Sequence, residues 1–393
     1  MQTGLDILLH DETLLHRLRS LRLGVLSHAA SIDSKGEHII LALRAKNIKI
    51  HRLFSPEHGL WGVAQDMESV KSGFDAIAAQ DVVSLYGDDL QSLQPENHSL
   101  DDLDAVVIDI QDVGARYYTF VYTALFLTQA ALKRGLEVYL LDRPNPINAN
   151  NTEGNLVQND FRSFVGMRPI ATRHGMTSCE LVRMWCHIEN MPNLENLHCI
   201  WMKDYDRRCY YDELPLLWTM PSPNMPRVET AVLYPGLCLI EGTNLSEGRG
   251  TTRPFEYVGA PWLNPIATCN ALKCLELPGI LFRPVEFRPM FQKHAGKICG
   301  GIELFVTDRS QFKPLLTGIA LLCVIRALHE EFDWRHDVYE FEGDKFAIDL
   351  LFGTDAIRKA IESQKTPYSI AHSLVPECEN FRQLRQNWLH YAS

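Results

Sequence analysis

The stretch DAVVIDIQDVGARYYTFVYTALFLTQAALKRGLEVYLLD, residues 104–142, decides the fold. It opens on an apolar run, DAVVIDI (104–110), and closes on a second, EVYLLD (137–142). Neither alternates polar with apolar residues, so both read as strands buried on two faces, the mark of a parallel sheet. Between them, GARYYTFVYTALFLTQAALKRG (114–135) reads as one long apolar helix. It stops in Lys133, Arg134 and Gly135, the last suited to a C-terminal cap.

The same alternation extends outward. Further strands are expected at LRLGVLS (21–27), IKIHRLF (48–54) and LHCIWM (197–202). Another helix begins at TSCELVRMW, where Thr177 and Glu180 have capping-box spacing and Leu181, Val182, Trp185 and Ile188 share one face. Strands alternating with helices imply a doubly wound α/β domain with a parallel sheet. From about Phe255 the pattern changes: helical stretches (PIATCNALKCLEL, LLTGIALLCVIRALHEE) alternate with extended ones (GILFRPVEFRP, GGIELFVTD). This predicts a second, smaller α/β domain, with residues 1–253 in the first unit and 254–393 in the second.

Composition narrows the function. The 393 residues are 46% hydrophobic and 22% charged, the profile of a globular chain with a full core. A net charge of -11 without a basic stripe excludes a general nucleic-acid binder. No segment approaches the roughly 18 apolar residues of a membrane span. The start, MQTGLDILLHDETLLHRL, lacks the order of a signal peptide, so a cytoplasmic location is expected, or a periplasmic or secreted one if a leader was removed. Ten scattered cysteines without a CxxC pair predict reduced thiols and no metal site. Neither GxGxxG nor GxxxxGK[ST] occurs, which weakens a dinucleotide-dependent oxidoreductase and leaves no cofactor expected.

Ligands of open α/β sheets bind beyond the carboxyl ends of the strands. There this chain places SHAAS, SPEHGLWG, QDVGARYYT and RPNP. Each has a plain reading: Pro56 and Gly59 as a turn, Asp112 as a helix cap, Asp142 as a partner of Arg143. Arg173 and His174 precede a helix N-terminus, where free N–H groups favour an anion. The loop EGTNLSEGRGTTRP holds Glu241, Asn244, Glu247, Arg249 and Arg253 at the junction of the two units, where clefts form. Trp218, Tyr234, Phe255, Tyr257 and Trp262 surround it in the sequence, which a solvated linker would not need.

These motifs, with EGN, RHGMT, PSPNMP, YPG and GAPW in order, resemble the NamZ-type exo-β-N-acetylmuramidases, long catalogued as a domain of unknown function. The resemblance spans nearly the whole chain. It implies a Rossmann-like domain, a smaller C-terminal domain, a site in the cleft between them, and release of terminal N-acetylmuramic acid from peptidoglycan fragments such as MurNAc-GlcNAc. It places the catalytic glutamate at Glu57, confined between Pro56 and Gly59. Glu247 and Glu241 are candidates for the second carboxyl group, with Asp112 behind them. The acetamido group of the sugar could replace that carboxylate, so retention and inversion both stay open.

The lactyl carboxylate of N-acetylmuramic acid calls for an arginine, for which Arg116, Arg173, Arg249 and Arg253 are candidates. His58, His174, Asn224, Asn244 and Tyr118 complete the expected sugar site, Tyr118 by stacking. A catalytically silent muropeptide-binding protein is the alternative, and retention of Glu57 with the full junction loop weighs against it.

Overall fold

A computed structural model describes residues 1–392. Helices α1 (Gly4–His10) and α2 (Glu12–Arg19) precede a sheet built from β1 (Leu23–Ser27), α3 (Ile39–Ala45), β2 (Ile50–Ser55), β3 (Gly73–Asp75), β4 (Gln80–Ser84), β5 (Ala105–Asp109), α4 (Phe120–Lys133), β6 (Glu137–Leu141), α5 (Ser178–Ile188) and β7 (Leu197–Ile200). The strand order is β3-β4-β2-β1-β5-β6-β7, and every neighbouring pair is parallel except β3 with β4.

β1 and β5 are buried at every position, as their unbroken apolar runs require. Their side chains alternate between two cores. Val25, Val107, Tyr139 and Leu141 pack with Leu8, Leu15, Ile40 and Leu43 of α1 to α3. Leu26, Val106, Ile108, Val138 and Leu140 pack with α4 and α5 on the other face. The doubly wound reading holds. No helix of the described residues is long and apolar enough to cross a membrane.

After α6 (Val228–Leu237) the second unit contains β8 (Tyr257–Ala260), α7 (Pro265–Lys273), β9 (Ile280–Phe287), β10 (Cys299–Val306) and α8 (Pro314–Leu328). Four short helices follow, α9 (Ala347–Phe352), α10 (Ala356–Glu362), α11 (Pro367–Ser373) and α12 (Val375–Gln386). Its sheet is antiparallel, in the order β8-β10-β9. The core beside α4 and α5 continues without a break through α6, α8 and α9, so the two units share one apolar interior.

Three local features depart from expectation. α4 starts at Phe120, not at Gly114. Gly114 is left-handed at φ 84, Asp112 accepts its N–H at 2.7 Å, the Arg116 N–H bonds to Thr172 O and the Tyr118 N–H closes a turn on Ala115 O, so 114–119 is a turn-containing connection rather than helix. The short edge strands β3 and β4 carry too little apolar pattern to be read from GFD and QDVVS. Asp142 does not pair with Arg143. Arg143 instead grips Asp109 at 2.5 and 2.7 Å, while Asp142 accepts from Thr177 Oγ1 and the Cys179 N–H.

α6 meets α8 at two glycines. A Cβ on Gly236 would lie 1.9 Å from the carbonyl oxygen of Pro314, and one on Gly318 would lie 2.3 Å from that of Gly236. Backbone this close cannot yield as a side chain would, so Gly236→Ala should cost at least about 2 kcal/mol, toward the upper end of overpacking effects. Calorimetric unfolding checks this, and a midpoint equal to wild type would show that the helices can separate without loss.

Candidate active site

The parallel strands deliver their loops to one edge of the sheet. β2 ends at Ser55, and after Pro56 the chain reverses through two left-handed residues, His58 (φ 68) and Gly59 (φ 79). A glycine meets that requirement at no steric cost, whereas His58 has to be held. Its Nδ1–H donates to the Ala64 carbonyl at 2.9 Å, and its ring lies against Phe120. Glu57 is 5% exposed, and its Oε2 accepts the Thr119 hydroxyl at 2.7 Å. Thr119 comes from the loop after β5, so the ends of two strands fix this carboxyl group.

The junction loop supplies the opposite wall. Arg249 Nη1 meets Glu241 Oε1 at 2.9 Å and Glu247 Oε1 at 3.2 Å, Nε lies 3.4 Å from Asp66 Oδ1, and the guanidinium covers the Phe255 ring at 4.9 Å. Lys293 Nζ lies 2.9 Å from Glu247 Oε2. Burial alone would raise Glu247, but Lys293 and Arg249 outweigh it and hold its carboxyl down at about 2. Glu241 goes the other way: burial raises it, with the Asp66 and Glu247 charges adding to burial and Arg249 opposing. The Tyr339 hydroxyl donates to Glu241 Oε2 at 2.8 Å, and the Tyr86 hydroxyl donates to Glu340 Oε2 at 3.3 Å.

Several of these groups line one cavity between the two walls. Glu57, His58, Tyr118, Asn224, Glu241 and Arg249 line it, as expected for a sugar site. Glu247 stands behind Arg249 and fixes it. Sequence reasoning missed Asp66, Thr119, Ser222, Tyr339 and Glu340, which also line it. Thr119 and Ser222 lie inside motifs already singled out, RYYT and PSPNMP, and could have been found there. Tyr339 and Glu340 could not, because they follow no strand and lie far along the chain.

The remaining candidates do not reach the cavity. Arg116 is fully buried and donates to four backbone carbonyls, those of Asn155, Ile170, Leu351 and Phe352. Arg173 donates to the Ile147 carbonyl. His174 Nδ1 accepts the Met176 N–H at 3.2 Å, which puts its proton on Nε2, facing Asp112 Oδ2 at 3.1 Å. The capping box of α5 is present, but the anion at that helix N-terminus is the chain's own Asp142, raised by burial to about 7. Asn244 bonds to the backbone of Glu331 and Asp333, and Arg253 pairs with Glu256.

Comparison with known proteins agrees with this architecture. The description "Exo-beta-N-acetylmuramidase NamZ, N-terminal" matches residues 23–229, and "Exo-beta-N-acetylmuramidase NamZ, C-terminal" matches residues 232–391. The chain is 37% identical over 392 residues to the peptidoglycan beta-N-acetylmuramidase NamZ of Bacillus subtilis (strain 168), covering 100% of this chain and 91% of that protein. The crystal structure of a DUF1343 family protein from Bacteroides fragilis NCTC 9343 is similar with a TM-score of 0.86 at 28% identity, over 100% of this chain and 99% of the other. A second such protein from that organism gives a TM-score of 0.75 at 25% identity, with the same coverage. The chain belongs to the NamZ family of exo-β-N-acetylmuramidases.

Because Glu247 is held below its ordinary value in the folded state, it stabilises the fold above about pH 4.5, and that contribution is lost as pH falls toward 2. Glu247→Gln should therefore lower stability by about 3 kcal/mol at pH 7, with the deficit shrinking below pH 4.5. Urea unfolding at pH 7 and pH 3 measures this, and an equal deficit at both would refute the ion-pair account.

Proposed function

We propose that the cavity takes the terminal, non-reducing N-acetylmuramic acid of a peptidoglycan fragment and hydrolyses its β-glycosidic bond, with Glu57 transferring the proton. Family membership supports a glycoside hydrolase acting on this sugar. The observation that carries the reading is the meeting of Glu57 and Arg249 in one buried cavity walled by both units. Cleavage needs a fixed carboxyl group beside the leaving oxygen. Thr119 engages Glu57 only through Oε2, which leaves Oε1 for the substrate.

Arg249 is the one arginine among the four candidates that lines the cavity. Its Nε and Nη1 face carboxylates of the chain, and none of those contacts uses Nη2. That end of the guanidinium suits the lactyl carboxylate, the group that separates N-acetylmuramic acid from N-acetylglucosamine. Tyr118, Tyr234 and Phe255 pack edge to face around the same space and offer apolar surface to a pyranose ring. A chamber ringed by side chains admits a chain end rather than a passing polymer, in keeping with exo action on MurNAc-GlcNAc fragments.

A chromogenic β-N-acetylmuramide, with the matching N-acetylglucosaminide as control, tests the assignment. Wild-type protein should release chromophore from the muramide and far less from the control. Glu57→Gln, which keeps the shape without an exchangeable proton, should be slower by roughly 10²–10⁴-fold. Equal cleavage of both sugars would remove the role of Arg249. A wild type that binds the muramide without cleaving it would establish the silent binding protein instead.

A further inference from the structure

The cleft contains a carboxyl group for which the reaction described so far has no use. Glu340 stands at the tip of a two-residue turn in which Tyr339 and Glu342 exchange backbone hydrogen bonds of 2.9 and 3.0 Å. Both tip residues are left-handed, Glu340 at φ 47 and Phe341 at φ 68. Turns of this kind favour Gly, Asn and Asp, because larger side chains are strained there. Phe341 offsets part of that strain by packing on Tyr86, with ring centroids 5.8 Å apart, and Tyr86 in turn donates to Glu340. The turn belongs to the second unit and Tyr86 to the first, so the contact spans the cleft. Strain kept at such a place points to function rather than to stability.

Charge pairing divides the cleft carboxyl groups into two sets. Asp66, Glu241 and Glu247 surround Arg249, and Glu247 also meets Lys293. Glu57 and Glu340 form no ion pair among the described residues, and each accepts one hydroxyl, from Thr119 and Tyr86 respectively. Two buried carboxyl groups that share a cavity without a cation of their own cannot both ionise cheaply. Burial, followed by the charges of Glu57, Glu241 and Asp66, pushes Glu340 well above the usual carboxyl range. An environment of that kind keeps a carboxyl group protonated at neutral pH.

We propose that Glu340 is the second carboxyl group of the hydrolysis and works with Glu57 as a pair holding one proton between them. The proposal rests on the glycosidase reading given above. The bond between C1 and the glycosidic oxygen breaks, and its electron pair leaves with that oxygen, which takes the proton of the pair. Water forms the new bond at C1 and gives its own proton to the other member, so the pair holds one proton before and after. His58, Asp66, Tyr86, Tyr117, Tyr118, Tyr234, Glu241, Arg249 and Tyr339 are the titratable and charged groups around the pair.

The test uses the full chain and the chromogenic muramide. Glu340→Gln still accepts the Tyr86 hydroxyl but exchanges no proton. Its kcat should fall by roughly 10²–10⁴-fold with KM within about threefold, and the basic limb of the pH–rate profile should disappear. Tyr86→Phe removes a donor that lowers Glu340, so the same limb should move to higher pH while activity persists. A purely structural role would change rate or melting temperature and leave the limb in place. Should Glu340→Gln fail to fold, Tyr86→Phe and Glu340→Asp carry the same reading. An active wild type with a Glu340→Gln variant that keeps more than a tenth of its kcat, or with an unmoved limb in Tyr86→Phe, overturns the proposal. An inert wild type would instead overturn the glycosidase reading on which it rests.

Discussion

The geometry of the cleft depends on one buried cation. Arg116 is fully enclosed, and its guanidinium donates through Nη1 to the carbonyls of Asn155 and Ile170 and through Nη2 to those of Leu351 and Phe352. The first pair lies in loops of the first unit and the second pair in the last turn of α9, where a helix presents the negative end of its dipole. A guanidinium cannot give up its charge, so a buried one is tolerable only where its donors find acceptors. Four carbonyls drawn from both units meet that demand for Nη1 and Nη2 at one relative position of the two, while the buried Nε has no partner among the described residues. α9 passes the constraint on. Its Ile348 backbone sits so close to Gly242 that a Cβ there would approach to 2.8 Å, which locates the neighbouring Glu241. A residue expected to touch the substrate thus helps to set the distance between the walls of the cavity.

Within those walls the electrostatics are unbalanced by design of the sequence. Asp66, Glu241 and Glu247 face Arg249 and Lys293, while Glu57 and Glu340 face hydroxyl groups. In a medium of low dielectric, carboxylates beyond the available cations are forced to take up protons. The opposite shifts of Glu247, held down by Lys293 and Arg249 against its burial, and Glu340, raised by burial and neighbouring charge, follow from where the cations stand. A site that has to give and accept protons near neutrality draws on that contrast.

The sheet was legible because strands buried on both faces need largely apolar runs, which β1, β5 and β6 have; β2 and β7 kept enough of one to be read although His51, Arg52 and His198 interrupt them. The carboxyl-edge rule then pointed to SPEHGLWG, and the place of the polar loop between the two units pointed to EGTNLSEGRGTTRP; they supply Glu57, His58, Glu241 and Arg249. The edge rule overreached at Asp112, and the anion-at-a-helix-N-terminus argument overreached at Arg173 and His174. None of the three lines the cavity, and the side-chain bonds they make go to the loops themselves. Polar residues at a strand end either face a ligand or satisfy the loop that carries them, and composition does not distinguish the two.

Sequence by itself determined the doubly wound class, the positions of β1, β2, β5, β6 and β7, the capping box of α5 and the segment that carries Glu57, since each rests on periodicity or on chemistry within a few residues. Tertiary structure alone decided which arginine faces the cavity, which holds the units together, and that Tyr339 and Glu340 reach a site whose other walls, from Glu57 to Phe255, lie far earlier in the chain. The physical reason is range. Local backbone preference and burial pattern are written in neighbouring residues, whereas the partner of a buried charge is chosen only once distant segments have packed and water has left.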